Sequence, residues 1–193
     1  MKVLMISTDR KMFDTNSVVH ARMLSYAQLF DELHIIVFAK KSLGFREVSV
    51  DGKLFLYPTQ SWTKISCIFD AIRVGKRVLK GPAPRETRGG AWIISTQDPF
   101  ETGLVGVRLS RLFDTKLQIQ LHTDFLSPYF KRGGVLNIVR RAMGEYLILF
   151  ADRIRVVSAR IRIGLTERLH IPSEKIDVVP IGVDAQSVVR NEV

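Results

Sequence analysis

Asp152-Arg-Ile-Arg-Val-Val-Ser158 and Lys175-Ile-Asp-Val-Val-Pro-Ile-Gly-Val-Asp184 frame the end of this chain. Each holds a short apolar run, Ile154 to Val157 and Ile176 to Val179, bounded by polar or turn residues, which is how a buried strand reads. Between them Ala159 to Leu169 has helical spacing, and Ser158 is placed to cap it. Strand, helix, strand is the repeating unit of parallel sheets, so this stretch sets the expectation for everything upstream.

The upstream chain keeps that alternation. Lys2 to Ile6 reads as a first strand. Val18, Val19, Met23, Leu24, Ala27 and Leu29-Phe30 then recur at helical spacing, with Asn16 or Ser17 as N-cap. Leu33 to Ala39 is a second strand and Lys53 to Tyr57 a third, after the turn signal Asp51-Gly52. Trp62 to Leu79 forms an amphipathic helix closed by Gly81-Pro82-Ala83-Pro84, and residues 81–90 form a loop. Ala91 to Ser95 (strand), Pro99 to Phe113 (helix) and Leu117 to Leu121 (strand) follow. His122 to Lys131 is irregular and Gly134 to Phe150 a strongly apolar helix. Most strands are continuous apolar runs, which calls for a sheet covered on both faces. The expected fold class is α/β, a doubly wound, Rossmann-like parallel sheet, with one domain over residues 1–184 and a linker or tail from 185 to 193.

Composition narrows the function classes. At 193 residues, 46% apolar and 25% charged, the chain has material for one substantial core. The single cysteine, Cys67, excludes an intrachain disulfide and a cysteine-based zinc cluster, and fits a reducing compartment as a small buried residue. Val3 to Ile6 is too short for a signal-peptide core or a membrane span, so the expected location is the cytoplasm. The net charge of +10 favours an anionic partner. Nucleic acid is disfavoured as that partner, because zinc-finger spacing, an aromatic RNP-like strand and long basic blocks are all missing. The histidines at 20, 34, 122 and 170 make no ligand spacing, and neither Asp-x-Asp nor Gly-x-Ser-x-Gly occurs, so no metal site is expected.

In an open α/β sheet, ligands bind beyond the carboxyl ends of the strands. The loop from Thr8 to Asn16 lacks glycine, so neither a dinucleotide fingerprint nor a phosphate-cradling loop can be built there. A nucleotide-binding regulator would need such a cradle. Asp9, Arg10 and Lys11 could substitute side-chain charge for backbone amides, or simply be solvated. In Thr96 to Gly103, Asp98 suits a helix cap and Pro99 the first turn. Gln97, Glu101 and Thr102 remain as candidates for reading sugar hydroxyls. Ser158 caps its helix, whose free N–H groups could receive an anion.

The passage from Ala151-Asp152 through Ser158 to Pro180-x-Gly-Val-Asp184 resembles the point where the N-terminal domain of a GT-B glycosyltransferase of the family 4 type hands over to its sugar-nucleotide domain. The likeness covers nearly the whole chain. It implies a single GT-B half, acting in retaining transfer from a nucleotide-diphosphate sugar to a saccharide or lipid-linked acceptor, as in cell-envelope polysaccharides. It also implies a C-terminal donor-binding domain in cis or in trans, without which little activity is expected. A histidine at the strand end occupied here by His122 faces the transferred sugar or acceptor in that family, so His122 is the expected catalytic residue, with Thr123 and Asp124 beside it. The family often has a glycine pair in its first loop, where this chain has none. The alternative is a non-catalytic acceptor-binding or membrane-docking subunit of a two-chain enzyme.

Lys131, Arg132, Arg140 and Arg141 flank the apolar helix of residues 134–150 and are candidates for contact with an anionic membrane at the inner face of the cell membrane. An ordinary core helix with a solvated basic edge is the favoured reading of the same residues. Arg73, Lys76, Arg77, Lys80, Arg85 and Arg88 form a second basic cluster. Membrane contact becomes the better reading if the two clusters face the same way.

Overall fold

A computed structural model describes residues 1–81 and 92–180. Its strands are β1 (Lys2–Ser7), β2 (Glu32–Val37), β3 (Val48–Val50), β4 (Leu54–Pro58), β5 (Trp92–Thr96), β6 (Lys116–Leu121), β7 (Arg153–Val156) and β8 (Ile176–Val178). Its α-helices are α1 (Val18–Ala27), α2 (Ser66–Lys80), α3 (Glu101–Phe113), α4 (Pro128–Lys131), α5 (Val135–Leu147) and α6 (Ala159–Leu169). The strands form a single eight-stranded sheet in the order β3-β4-β2-β1-β5-β6-β7-β8. Every pairing is parallel except β3 with β4. The fold is thus the expected mostly parallel, Rossmann-like α/β sheet with helices on both faces.

The strand β3 is an addition to the sequence reading. Asp51 and Gly52 both take left-handed backbone, φ +50° and +63°, and with Lys53, whose N–H bonds to the Val50 carbonyl, they make the tight turn between β3 and β4. That turn pairs Val48–Val50 with β4. A strand of three residues at a sheet edge, two of them exposed, leaves little periodicity to find.

Two cores lie on the two faces. On one, α2, α3, α5 and α6 pack through Ala71, Leu109, Leu147 and Leu165 onto Leu4, Ile6, Ile36, Ile94 and Ile119. On the other, Met23 and Ala27 of α1 cover Val3, Met5, Leu33, Ile35 and Leu54. The second face is apolar only over β4, β2 and β1. Further along, β5, β6 and β7 present Ser95, Gln118, Gln120 and Arg155, joined to one another by hydrogen bonds. The expectation of a sheet buried on both faces throughout therefore holds for only part of it. Lys-Leu-Gln-Ile-Gln-Leu and Arg-Ile-Arg-Val alternate strictly, which is the mark of strands with one buried face.

Local corrections have simple causes. Ser17, one of the two proposed caps, accepts the His20 N–H at 3.0 Å and starts α1. Asp98 does not cap α3, which begins at Glu101. Its carboxylate instead accepts the Phe100 N–H at 2.7 Å, one step before the helix. Asp152, in the Ala-Asp pair before β7, accepts the Leu117 N–H and the Lys116 ammonium, tying the entry of β7 to that of β6. Cys67 is buried and free. The proposed loop at residues 81–90, together with Pro180-x-Gly-Val-Asp184 beyond Pro180 and the tail at 185–193, lies almost wholly outside the described residues.

Candidate functional site

The chain changes direction across the sheet between β1 and β5: β1 leads to β2 on one side, and the return from β4 enters on the other. Loops leaving the carboxyl ends of the strands part at such a point and leave a crevice. Ser7 ends β1, while Gln97 and His122 directly follow β5 and β6, the next two strands along. Side-chain alternation puts all three on the α1 side of the sheet.

Ser7 is fully buried, accepts the Asp9 N–H at 2.9 Å and donates to Gln97 Oε1 at 2.6 Å. One hydroxyl thus fixes the first loop and orients the Gln97 amide, whose NH2 remains a donor at the crevice. His122 is exposed at its rim. Its pKa lies below the ordinary histidine value of 6.5, first through partial burial, then through the charges of Arg155 on β7 and Arg22 on α1. The imidazole is therefore neutral at neutral pH, able to donate through one nitrogen and accept through the other. Arg155 donates from Nη1 to Gln120 Oε1 at 3.1 Å, and its buried Nε has no partner among the described residues. The crevice thus combines neutral hydrogen-bonding groups with two guanidinium charges, a setting suited to a polar, anionic ligand.

The other candidates divide between the crevice and the scaffold. Arg10 and Thr123 are exposed at the carboxyl edge. Asp9 accepts the Lys11 N–H and caps the short 3-10 turn Arg10–Phe13. Glu101 receives both Nε and Nη2 of Arg140, fastening α3 to α5. Asp124 holds the Ser127 N–H and the Arg160 guanidinium. Ser158 caps α6. Thr102 is fully buried, its hydroxyl bonded to both the N–H and the carbonyl of Asp98 at 3.1 Å. Thr102→Val keeps the shape and strands that N–H. We expect a loss of about 1–3 kcal/mol in urea unfolding, with unchanged acceptor affinity in an assembled enzyme. A selective loss of acceptor affinity at normal stability would return Thr102 to the site.

Ser7, Arg22 and Arg155 were not singled out from the sequence. Arg155 had a signal, a charge at an alternating position in Arg-Ile-Arg-Val that must face a polar surface. Ser7 and Arg22 had none, since their roles depend on which strands and helix become neighbours. Among the described residues no His, Cys, Asp or Glu group is arranged to hold a metal ion, and no helix is long and apolar enough to cross a membrane.

Among solved structures, the chain is similar to a sucrose-phosphate synthase from Thermosynechococcus elongatus, with 14% identity and a TM-score of 0.63 over 97% of this chain and 93% of that one. It is similar to Anabaena Alr3699/HepE in complex with UDP and glucose, with 15% identity and a TM-score of 0.59 over 95% of this chain and 45% of that one. It is also similar to a UDP-GlcNAc 2-epimerase from Methanocaldococcus jannaschii, with 15% identity and a TM-score of 0.56 over 93% and 45%. The chain spans a little under half the length of the last two. At such identities these likenesses speak to the fold alone, that of one GT-B half. No curated protein sequence matches. Residues 31–187 match the family described as Glycosyltransferase Family 4, and by that match over most of its length the chain belongs to glycosyltransferase family 4.

Proposed function

We propose that this chain is the acceptor-side half of a retaining, nucleotide-sugar-dependent glycosyltransferase. It would act on a saccharide or lipid-linked acceptor of the cell-envelope polysaccharide type, in the cytoplasm or at the inner face of the membrane. What supports the reading is the family 4 match together with the carboxyl edge at the switch point, where Ser7 orients Gln97 and the charges of Arg155 and Arg22 act on His122. The neutral His122 and the Gln97 amide are suited to sugar hydroxyls, and the two arginines to the charge of a nucleotide diphosphate. Arg10 and Thr123, both exposed at the carboxyl edge, would meet the acceptor. The nucleotide itself would be held by a donor-binding domain, either in cis or on another chain. No resident cofactor or metal is part of the proposal.

The test compares this chain alone with the same chain joined to a donor-binding GT-B domain from its own genome. UDP-glucose is the first donor to try, since HepE was solved with UDP and glucose. We expect sugar transfer only from the joined form. Robust turnover by the isolated chain would refute the division of labour. Acceptor binding with no turnover in either form would leave the non-catalytic binding subunit as the better reading.

A further inference from the structure

Helix α5 is built inside out for a surface helix. Its outward stripe, Val135, Val139, Ala142 and Tyr146, recurs at helical spacing and carries no charge, with Val135 77%, Val139 57% and Tyr146 60% exposed. Leu136 and Ile138 widen the stripe at its start and Leu149 extends it past the end. The helix's arginines are turned to its flanks. Arg140 is taken by Glu101, and Arg141 by Glu145 and the Leu126 carbonyl. The ordinary amphipathic reading, apolar face to the core and basic edge to water, fails here. Scattered exposed apolar residues are common on protein surfaces, but a contiguous stripe along one helix is not.

Helix α2 repeats the pattern from the other side of α3. Ala71 and Leu79 face the core, while Trp62, in the approach to the helix, Ile65 and Phe69 stand out in water, followed along the helix by Arg73, Lys76 and Lys80. Both helices pack against α3 on one face of the sheet, and both begin at its carboxyl edge. The two apolar patches therefore lie on the same side of the molecule, on the sheet face opposite α1, and both start from the carboxyl edge that His122 follows. Carboxylates on or beside this face are already paired: Asp70 with Arg73, Glu47 with Arg77, Glu101 with Arg140, Glu145 with Arg141. Lys76, Lys80, Arg108 and Arg132 have no ion-pair partner among the described residues, and Arg132 stacks over the exposed ring of Tyr129 at 4.8 Å. Apolar side chains ringed by uncompensated cations and cation-stacked aromatics match the boundary between acyl chains and anionic headgroups.

We propose that the α2–α5 face docks on an anionic phospholipid surface and holds the crevice where a lipid-linked acceptor emerges. Of the four basic residues picked out from sequence near α5, Arg140 and Arg141 are consumed in the scaffold and the Lys131 side chain lies outside the described residues. Arg132 remains, and the other cations come from α2 and α3. The docking face stands without the glycosyltransferase reading; only its link to an acceptor rests on that reading.

The test is sedimentation of the full chain with vesicles of phosphatidylcholine, with and without phosphatidylglycerol, read also by Trp62 fluorescence. We expect binding to the anionic vesicles, at least about tenfold weaker binding to phosphatidylcholine alone, and weakening by salt. The Leu136→Glu/Val139→Glu variant changes only exposed side chains. It should keep its circular dichroism and thermal midpoint yet bind at least about tenfold more weakly. No binding to anionic vesicles, or equal binding by the variant, overturns the proposal. So does a wild-type dimer that the variant abolishes without any vesicle binding, which would make this face an interface between copies. Vesicle binding is read without nucleotide sugar, so its success beside absent transfer would sink the enzymatic reading alone.

Discussion

Gly106→Val is expected to cost about 3 kcal/mol and lower the thermal midpoint by roughly 6–12 °C. Gly106 is where α3 comes down onto the sheet. A Cβ built there would sit within 2.4 Å of Thr96 Cγ2 and 3.0 Å of Leu117 Cδ1. Thr96 cannot give way. It is fully buried, β-branched, and its hydroxyl is bonded to the Asp98 carbonyl at 3.1 Å. The helix must lift instead, loosening Val105 and Leu109 in the core and the turn that carries Gln97 into the crevice. Gly75→Ala is the control. The added Cβ there meets Leu109 Cδ1, the free end of a flexible side chain, and alanine gains about 1 kcal/mol of helix propensity. Its midpoint should move far less. Equal, small shifts for both variants in thermal circular dichroism would show that α3 does not rest on Gly106.

The contrast between these glycines shows what the sequence can carry. Gly75 and Gly106 both stand out in the string, but nothing there says that the branched Thr96 lies beneath one and the end of the Leu109 side chain beneath the other. The sheet itself was legible because parallel strands buried on both sides are runs such as Leu33 to Ala39, and their crossovers are amphipathic stretches of helical length. The half-polar second face was also written in the sequence, as strict alternation in β6 and β7. It was read as more buried strand because the neighbouring runs were apolar.

The site was legible only in part for a related reason. His122 and Gln97 could be found because they follow apolar runs, and strand ends are where an α/β sheet places its ligands. Ser7, Arg22 and Arg155 act through neighbours from other strands and from α1, and strand order is a property of the assembled sheet. Glu101, Thr102 and Asp124 have the residue types of a sugar site, yet the scaffold uses their polar atoms. Helix α5 carried an ambiguity that composition could not resolve. An apolar stripe with basic residues between reads alike whichever side faces water, and the ion pairs of Arg140 and Arg141 turn the apolar side outward.

His122→Ala in the enzyme assembled with its donor-binding half is expected to lower kcat by about a hundredfold, the usual effect of deleting one hydrogen-bonding group aimed at a reacting centre. His122→Gln should recover part of that loss by restoring a donor and an acceptor near the same place. The pH dependence separates this role from a merely structural one. Partial burial and the charges of Arg155 and Arg22 hold the free imidazole below 6.5, so kcat/KM, which reports the free enzyme, should keep its plateau to below that pH before its acid limb. Removing a neighbouring positive charge makes protonation easier. Arg155→Gln should therefore raise the pKa of His122 and move the acid limb to higher pH, while His122→Gln should abolish it. The same sign governs stability: the unfolded chain takes up the proton first, so the contribution of this histidine is intact above 6.5 and is lost as pH falls through the lower folded value. An acid limb unmoved by Arg155→Gln, or a His122→Ala enzyme with unchanged rate and acceptor affinity, would remove His122 from the reaction and leave the crevice with only its arginines and the Gln97 amide to bind.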